Sequence, residues 1–393
     1  MLEKFVPAPR YCRMPGVGKA DPLNIRTVAH EKARQVICLT GLFSDRANSP
    51  SLGDFGRSVC SVCPYFGGYY TCQTHSHDVG GSHHRRPIMA SLLNQTFFQD
   101  EEAAYAKLES IVWPLGPVCP HCGSMDRMRR LQGKATRPGL YKCYACRKQS
   151  RVTVGTVFES SHIKLHMWLQ AAYLLCASKK GISSNQLARV LGVTVKTAWL
   201  MSHRLREAMI NGNLPPVGCD GAGVEIDETY TGKKVEKPKN ARGYAHKHAV
   251  LTLVQRGGSA RSFHVDATKA SGLLPIINAN VQPGTRVMTD EAGQYTHLAK
   301  HFAAHGFTRH GAGEYVVSDT HTNTVEGYYS VFKRGMKGVY RHCAEKHLHR
   351  YIAEFDFRYN NRVRLGMDDA QRTENALSGI VGKRLTYGGA ASV

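Results

Sequence analysis

From Met89 onward, apolar residues recur with the spacing of helices or strands, whereas in residues 1–88 they do not. Gly, Ser, Pro, His and Arg are scattered through RANSPSLGDFGRSVC and THSHDVGGSHHRRP, so little regular structure is expected there. DEEAAYAKLESIVWP predicts a helix: Asp100 is its N-cap, acids fill the first turn, Leu108, Ile111 and Val112 form a stripe, and Pro114 stops it. VTVGTVF predicts a short strand, after which Leu165, Trp168, Leu169, Ala172 and Leu175 mark the core face of a helix. SSNQLARVLGVTVKTAWLMSHRLREAM then predicts helix, Gly192 turn, helix. Packing of Leu187, Ala188 and Leu191 against Val193, Ala198 and Leu205 would make this a helix-turn-helix, with Thr194, Lys196 and Thr197 placed to reach a DNA groove. A helix pair used only for packing gives the same pattern.

Beyond about residue 222, strand and helix signals alternate. VEIDETYTG, HAVLTLVQR and RSFHVD predict three consecutive strands, the first two joined by the basic loop KKVEKPKNARGYAHK. A helix is expected around SGLLPIINAN, then a strand RVMTD ending in Asp290, a short strand EYVVSD, and a helix opening at NTVEGYYSVFKRG. In CAEKHLHRYIAEFDFRYNNR, Leu348, Tyr351, Ile352, Phe355 and Tyr359 share one helix side, and the terminal TYGGAASV should fray.

Charge narrows the partners. The 393 residues allow two or three domains; they carry 52 Lys plus Arg against 30 Asp plus Glu, a formal charge of +22. Such an excess favours nucleic acid ahead of an anionic membrane, since phosphate neutralisation releases counterions. MLEKFVPAPR lacks a signal-peptide core, and no run approaches the roughly 18 apolar residues of a membrane span, so a soluble intracellular protein is expected. Among the 12 cysteines, Cys119 and Cys122 form one CxxC pair and Cys143 and Cys146 another, with twenty residues between the pairs. That spacing suits four thiolates around one structural Zn2+ in a ribbon. Arg127, Arg129, Arg130, Lys134 and Arg137 between the pairs either contact phosphates or form a solvated basic loop. Cys60, Cys63, Cys72 and His75 form a weaker second metal-ligand pattern.

The strand VEIDETYTG contains three carboxylates, unusual for a strand. Glu225 and Asp227 share one face, and Val224, Ile226 and Glu228 the other. Asp227 in this strand, Asp290 at the end of a later one and Glu326 on a helix form a set able to converge on hard cations such as Mg2+ or Mn2+. Two such ions activate a hydroxyl and stabilise a leaving oxygen in displacement at phosphorus. Lys333, two helical turns beyond Glu326, suits a DNA phosphate, and Asn323 and Ser330 lie on the same face. Taken singly, each acid reads equally well as a solvated strand, turn or first-turn residue. Asp266, at the end of the third strand, and Asp319 are runner-up ligands that read better as structural.

The zinc ribbon, the helix-turn-helix and the segments VEIDETYTGKK, VMTDE and TNTVEGYYSVFKRGMKGVY together resemble transposases of the IS1595 insertion-sequence family, with the ISXO2-like catalytic domain, over roughly residues 89–363. The resemblance implies an α/β, RNase H-like fold: a mixed five-stranded sheet with flanking helices. It places the catalytic, Mg2+-binding acids at Asp227, Asp290 and Glu326, with 35 residues between the last two, and the following basic residue at Lys333. Asn323 belongs to the same motif, and the division of labour between it and Glu326 stays open. The compositional break and the onset of family-like sequence at Met89 predict a poorly structured extension over 1–88 outside the working enzyme, with translation beginning at Met89, the alternative being a DNA-binding arm; an N-terminal helix and ribbon over 89–158 and a helix-turn-helix region over 159–212 follow. A catalytic domain follows over 222–363 and a flexible tail over 364–393. The function implied is a DDE-type DNA transposase at the bacterial nucleoid, acting as a homo-oligomer on element ends and target double-stranded DNA. A DNA-binding repressor without catalysis and a nuclease that only hydrolyses are the alternatives.

Overall fold

Caps and breakers set most of the element boundaries in the computed structural model, which describes residues 91–212, 214–218, 221–235 and 243–386. These belong to one unit beginning at Ser91. The expectations for residues 1–88, including the set Cys60, Cys63, Cys72 and His75, lie outside the described residues. Helix α1 (Glu101–Val112) starts where the Asp100 carboxylate accepts the Ala103 N–H at 2.7 Å, with Glu101 and Glu102 in its first turn. A small antiparallel sheet follows, β1 (Met128–Arg130), β2 (Tyr141–Cys143) and β3 (Gln149–Ser150), in that spatial order.

Helix α2 (Leu165–Ala177) is apolar around most of its girth. Helices α3 (Ser184–Leu191) and α4 (Val195–Met209) are capped by Ser183 and Thr194 and joined through Gly192, whose φ of 66° is the left-handed conformation glycine adopts without strain. Leu187, Ala188, Leu191, Ala198 and Leu205 are buried together, in one cluster with Leu108 of α1, Tyr141 of the ribbon and Trp168 of α2. The ribbon and the helix pair, expected as successive modules, thus share a core. The segment expected as a flexible tail joins them: α8 (Asp369–Ser378) has a full capping box between Asp368 and Gln371 and buries Ala376 and Leu377 there. VTVGTVF is turn rather than strand; only Thr156 makes a single bridge, to Val381 behind α8.

The second half holds β4 (Val224–Thr231), β5 (His248–Gln255), β6 (Ala260–Val265), α5 (Ala270–Asn280), β7 (Arg286–Asp290), β8 (Ala304–Thr308), α6 (Asn323–Gly335) and α7 (Leu348–Asn360). The sheet runs β6-β5-β4-β7-β8, antiparallel through β6, β5 and β4 and parallel from β4 to β7 to β8. Its fifth strand is Ala304–Thr308, not EYVVSD, whose Tyr315, Val316 and Val317 are exposed and whose single bridge joins Val317 to Thr320. Alternation divides the sheet residues between two cores. Val224, Ile226, Leu251, Leu253 and Val287 pack with Leu273 and Ile277 of α5, while Val250 and Val254 pack with Val325, Tyr329 and Phe332 of α6 and Tyr351 and Phe355 of α7.

Candidate active site

Strand pairing brings the two strand acids together. Val224 pairs with Val287 and Glu225 with Met288, and the same parallel register carried two residues further sets Asp227 beside Asp290. Both face α6, because the alternate residues Ile226 and Val287 fill the α5 core. The Asp227 carboxyl is pushed up to about 7 by burial, with the charges of Glu228, Asp290 and Glu326 adding to the rise and the Glu228 N–H, at 2.7 Å, opposing it. Asp227 and Asp290 thus lie on the sheet face that α6 covers, and Glu326 stands in the first turn of that helix. Asp290 is held by the Ala292 N–H at 3.1 Å.

Glu225 explains how the helix acid is delivered. Its carboxylate is fully buried and accepts the Thr324 and Val325 N–H groups at 2.8 and 3.0 Å, the Thr324 hydroxyl at 2.7 Å and Arg256 Nε at 2.8 Å. A strand carboxylate therefore caps the N-terminus of α6, where free N–H groups and the helix dipole favour negative charge. Glu326 stands in that first turn, exposed, accepting the Thr322 hydroxyl at 3.0 Å, with His310 Nε2 at 3.9 Å. Further along α6, the Tyr329 hydroxyl donates to the Asp227 carbonyl at 2.5 Å, and Lys333 Nζ lies 5.8 Å from the Tyr329 ring centre.

Other expected residues fall elsewhere. Asn323, exposed at the start of α6, lines a neighbouring basic cleft of about 500 Å3 with Arg256, His321, Tyr359, Arg362 and Arg364. Glu228 accepts from Gln294 at 2.7 Å, and burial chiefly raises its pKa. Asp319 is paired with Arg286, and Asp266 follows directly on the far edge strand β6. Thr194 accepts the Thr197 N–H at 3.2 Å, and Thr194 and Lys196 are exposed at the start of α4. Arg127, Arg129, Arg130, Lys134 and Arg137 are exposed, Arg130 being paired with Glu102. Arg256, His310 and Tyr329 were not signalled by the sequence, since each acts through a partner from a distant segment.

At the ribbon, Cys119 and Cys146 sulfurs are 3.6 Å apart, as are those of Cys122 and Cys143. A disulfide needs about 2.05 Å. Four thiolates at Zn–S distances of about 2.3 Å stand roughly 3.8 Å apart, which fits. All four ligating atoms lie within 4.8 Å of one another.

A five-stranded mixed sheet with two acids on one face, in a chain that also carries a four-cysteine ribbon, defines an α/β protein with a zinc-ribbon-like cysteine cluster. The family model for the ISXO2-like transposase domain matches residues 219–360, and that for the transposase zinc-ribbon domain matches residues 99–149. The chain is similar to a Halobacterium salinarum protein named as an uncharacterized protein in transposable element ISH50, 30% identical over 285 residues that cover 67% of this chain and 92% of that one. The chain belongs to the IS1595 family of insertion-sequence transposases. The cysteine cluster lies within the ribbon match and is its structural zinc site; Asp227, Asp290, Glu326 and Lys333 lie within the transposase match.

Proposed function

We propose that the chain is a DDE-type DNA transposase that binds the terminal inverted repeats of its own element, cleaves there and joins the freed 3′ ends to target DNA. The observation that supports this reading is the parallel register of β4 and β7, which sets Asp227 beside Asp290 on the sheet face covered by α6, the helix that carries Glu326 in its first turn. Asp227, Asp290 and Glu326 are the ligands for Mg2+ or Mn2+: an all-oxygen donor set whose own charges repel fits a hard cation. Bound there, the metal supplies charge neutralisation at phosphorus and activation of the attacking hydroxyl. The sheet order, three antiparallel strands followed by two parallel ones, supports the RNase H-like reading.

The chain's own residues then divide the work. Glu225 fixes the start of α6 so that Glu326 stays beside the strand acids, and Tyr329 ties the same helix to the Asp227 backbone. Lys333, exposed on α6, neutralises a phosphate of the bound strand. Asn323 borders the basic cleft instead, so Glu326 supplies the third ligand. Helices α3 and α4 form a helix-turn-helix, with Thr194, Lys196 and Thr197 at the groove, and the ribbon adds phosphate contacts through its basic loop. Two element ends must be held together, so the working form is a homo-oligomer, located with its DNA at the cytoplasmic nucleoid. Among the described residues no helix is long and apolar enough to cross a membrane.

Strand transfer with labelled element ends, target plasmid and Mg2+ tests the proposal. Joined product is expected with the wild-type chain. Asp227→Asn should lower it by several orders of magnitude while end binding persists. End binding without joining or cleavage by the wild-type chain would leave a DNA-binding protein, and cleavage without joining a nuclease.

A further inference from the structure

Away from the acids and the cysteines, one cluster of side chains has no assigned use. His248 opens β5 opposite Thr231 of β4, and His264 lies on β6 opposite Val250. Glu345 reaches them from the turn Glu345–His347 that leads into α7. Its Oε1 is 3.3 Å from His248 Nδ1 and 3.7 Å from His264 Nε2, and the ligating atoms of all three residues lie within 4.8 Å of one another. Both ring nitrogens are buried and neither has a hydrogen-bond partner.

Orphaned buried imidazole nitrogens are costly, and here two converge on one carboxylate oxygen without hydrogen-bond geometry. Around a tetrahedral ion with bonds of about 2.0–2.1 Å, donor atoms stand roughly 3.3–3.4 Å apart. The observed separations bracket that range. The carboxylate has lone pairs enough to accept from both rings, yet neither nitrogen is hydrogen-bonded to it; an ion accounts for both. We propose that His248, His264 and Glu345 form a second divalent transition-metal site, of the Zn2+ class, separate from the cysteine cluster and from the catalytic acids. Two imidazoles with one carboxylate select Zn2+ over Mg2+, which prefers oxygen donors. Asp227 pairs with Thr252, four residues along β5 from His248 and so about 13 Å away along the strand. The His248 and His264 side chains are 4% and 20% exposed, but Glu345 is 49% exposed, so the ion enters from solvent and keeps an open fourth position. Occupied, the site fastens the start of α7 to the β5–β6 edge.

The test is independent of catalysis. The full-length wild type, His264→Ala and Glu345→Ala are dialysed against the same buffered micromolar free Zn2+ with millimolar Mg2+, and bound zinc is measured by elemental mass spectrometry. Each variant is expected to hold one zinc equivalent fewer than the wild type. In Co2+-loaded samples the variants should lose visible d–d intensity while the thiolate charge-transfer band of the ribbon is retained. Because Glu345 is on an exposed turn, its variant reports on the site even if His264→Ala folds poorly. Equal zinc in the wild type and Glu345→Ala would overturn the assignment.

Discussion

Two neighbouring acids on β4 illustrate how one strand separates chemistry from support. Asp227 carries a penalty for being charged: its carboxyl rises from an ordinary 3.8 to about 7, chiefly through burial. Between those values the native state keeps a proton the unfolded chain has lost, so metal-free stability falls as pH rises from about 4 to 7, and the deficit is complete above 7. Asp227→Asn removes the charge and retains the oxygen that accepts the Glu228 N–H. At pH 8 in chelator the variant should therefore be more stable than wild type, by on the order of 1–3 kcal/mol, with no difference near pH 4. Thermal melts at the two pH values check this; a variant that melts no higher than wild type at pH 8 contradicts it. Glu225 should behave in the opposite way. Glu225→Gln replaces one acceptor oxygen with a donor facing Arg256 and the α6 N–H groups, and is expected to cost about 2–4 kcal/mol in denaturant titrations. If the variant unfolds with the wild-type midpoint, Glu225 does not anchor the helix.

At the scale of elements, what was legible in the chain was what local chemistry decides. Asp100, the Gly192 turn, the alternation in VEIDETYTG and the apolar run of HAVLTLVQR each specify backbone geometry within a few residues, and the observed helices and strands follow them. Strand β8 was missed because AHGFT has no apolar alternation; its pairing with β7 makes it a strand, a long-range fact. EYVVSD had the aromatic and β-branched run of a strand but, among the described residues, found no partner strand. The capping box Asp368–Gln371 before α8 was readable but passed over, because few apolar residues follow it. Of the candidate site, the three proposed ligands come from order, spacing and resemblance, whereas the Glu225 cap carries no sequence signal, since it joins residues 99 and 100 positions apart. The α3–α4 turn allows cap and contact to be separated. Thr194→Ala should lose about 1 kcal/mol of stability and weaken end binding. Thr194→Asp restores the cap, yet sets a negative charge where a DNA phosphate would lie, so stability should return while affinity does not. Affinity that recovers along with stability would confine Thr194 to capping.

Across the whole described unit, helix α4 and helix α7, which packs on the five-stranded sheet, are joined by a buried charge network. Arg206 of α4 meets Glu354 of α7 at 2.6 Å, both essentially without exposure, and Glu354 also pairs with Arg358 and accepts from Tyr340. The Arg206 guanidinium lies 4.1 Å from the Tyr351 ring centre, and Arg350 of α7 pairs with Glu207 of α4. Glu354 is thus the only carboxylate this network sets against Arg206 and Arg358, and the two guanidiniums hold its pKa below the ordinary 4.5 despite burial, the largest influence, which acts the other way. Glu354→Gln keeps the shape but leaves two buried cations without their counter-charge, a loss of about 3–5 kcal/mol. Because the carboxylate pKa is depressed in the fold, its contribution is present above about 4.5 and disappears as pH falls through the lower folded value. The gap between wild type and Glu354→Gln should therefore be wide at pH 7 and narrow on acidification below 4.5. Since α4 and the sheet lose their tie together, the variant should bind element ends yet join them poorly even at temperatures where it remains folded. Denaturant titrations at several pH values, paired with end-binding and joining assays, decide the matter: a pH-independent gap, or joining that tracks binding, would show that the network does not couple the two halves.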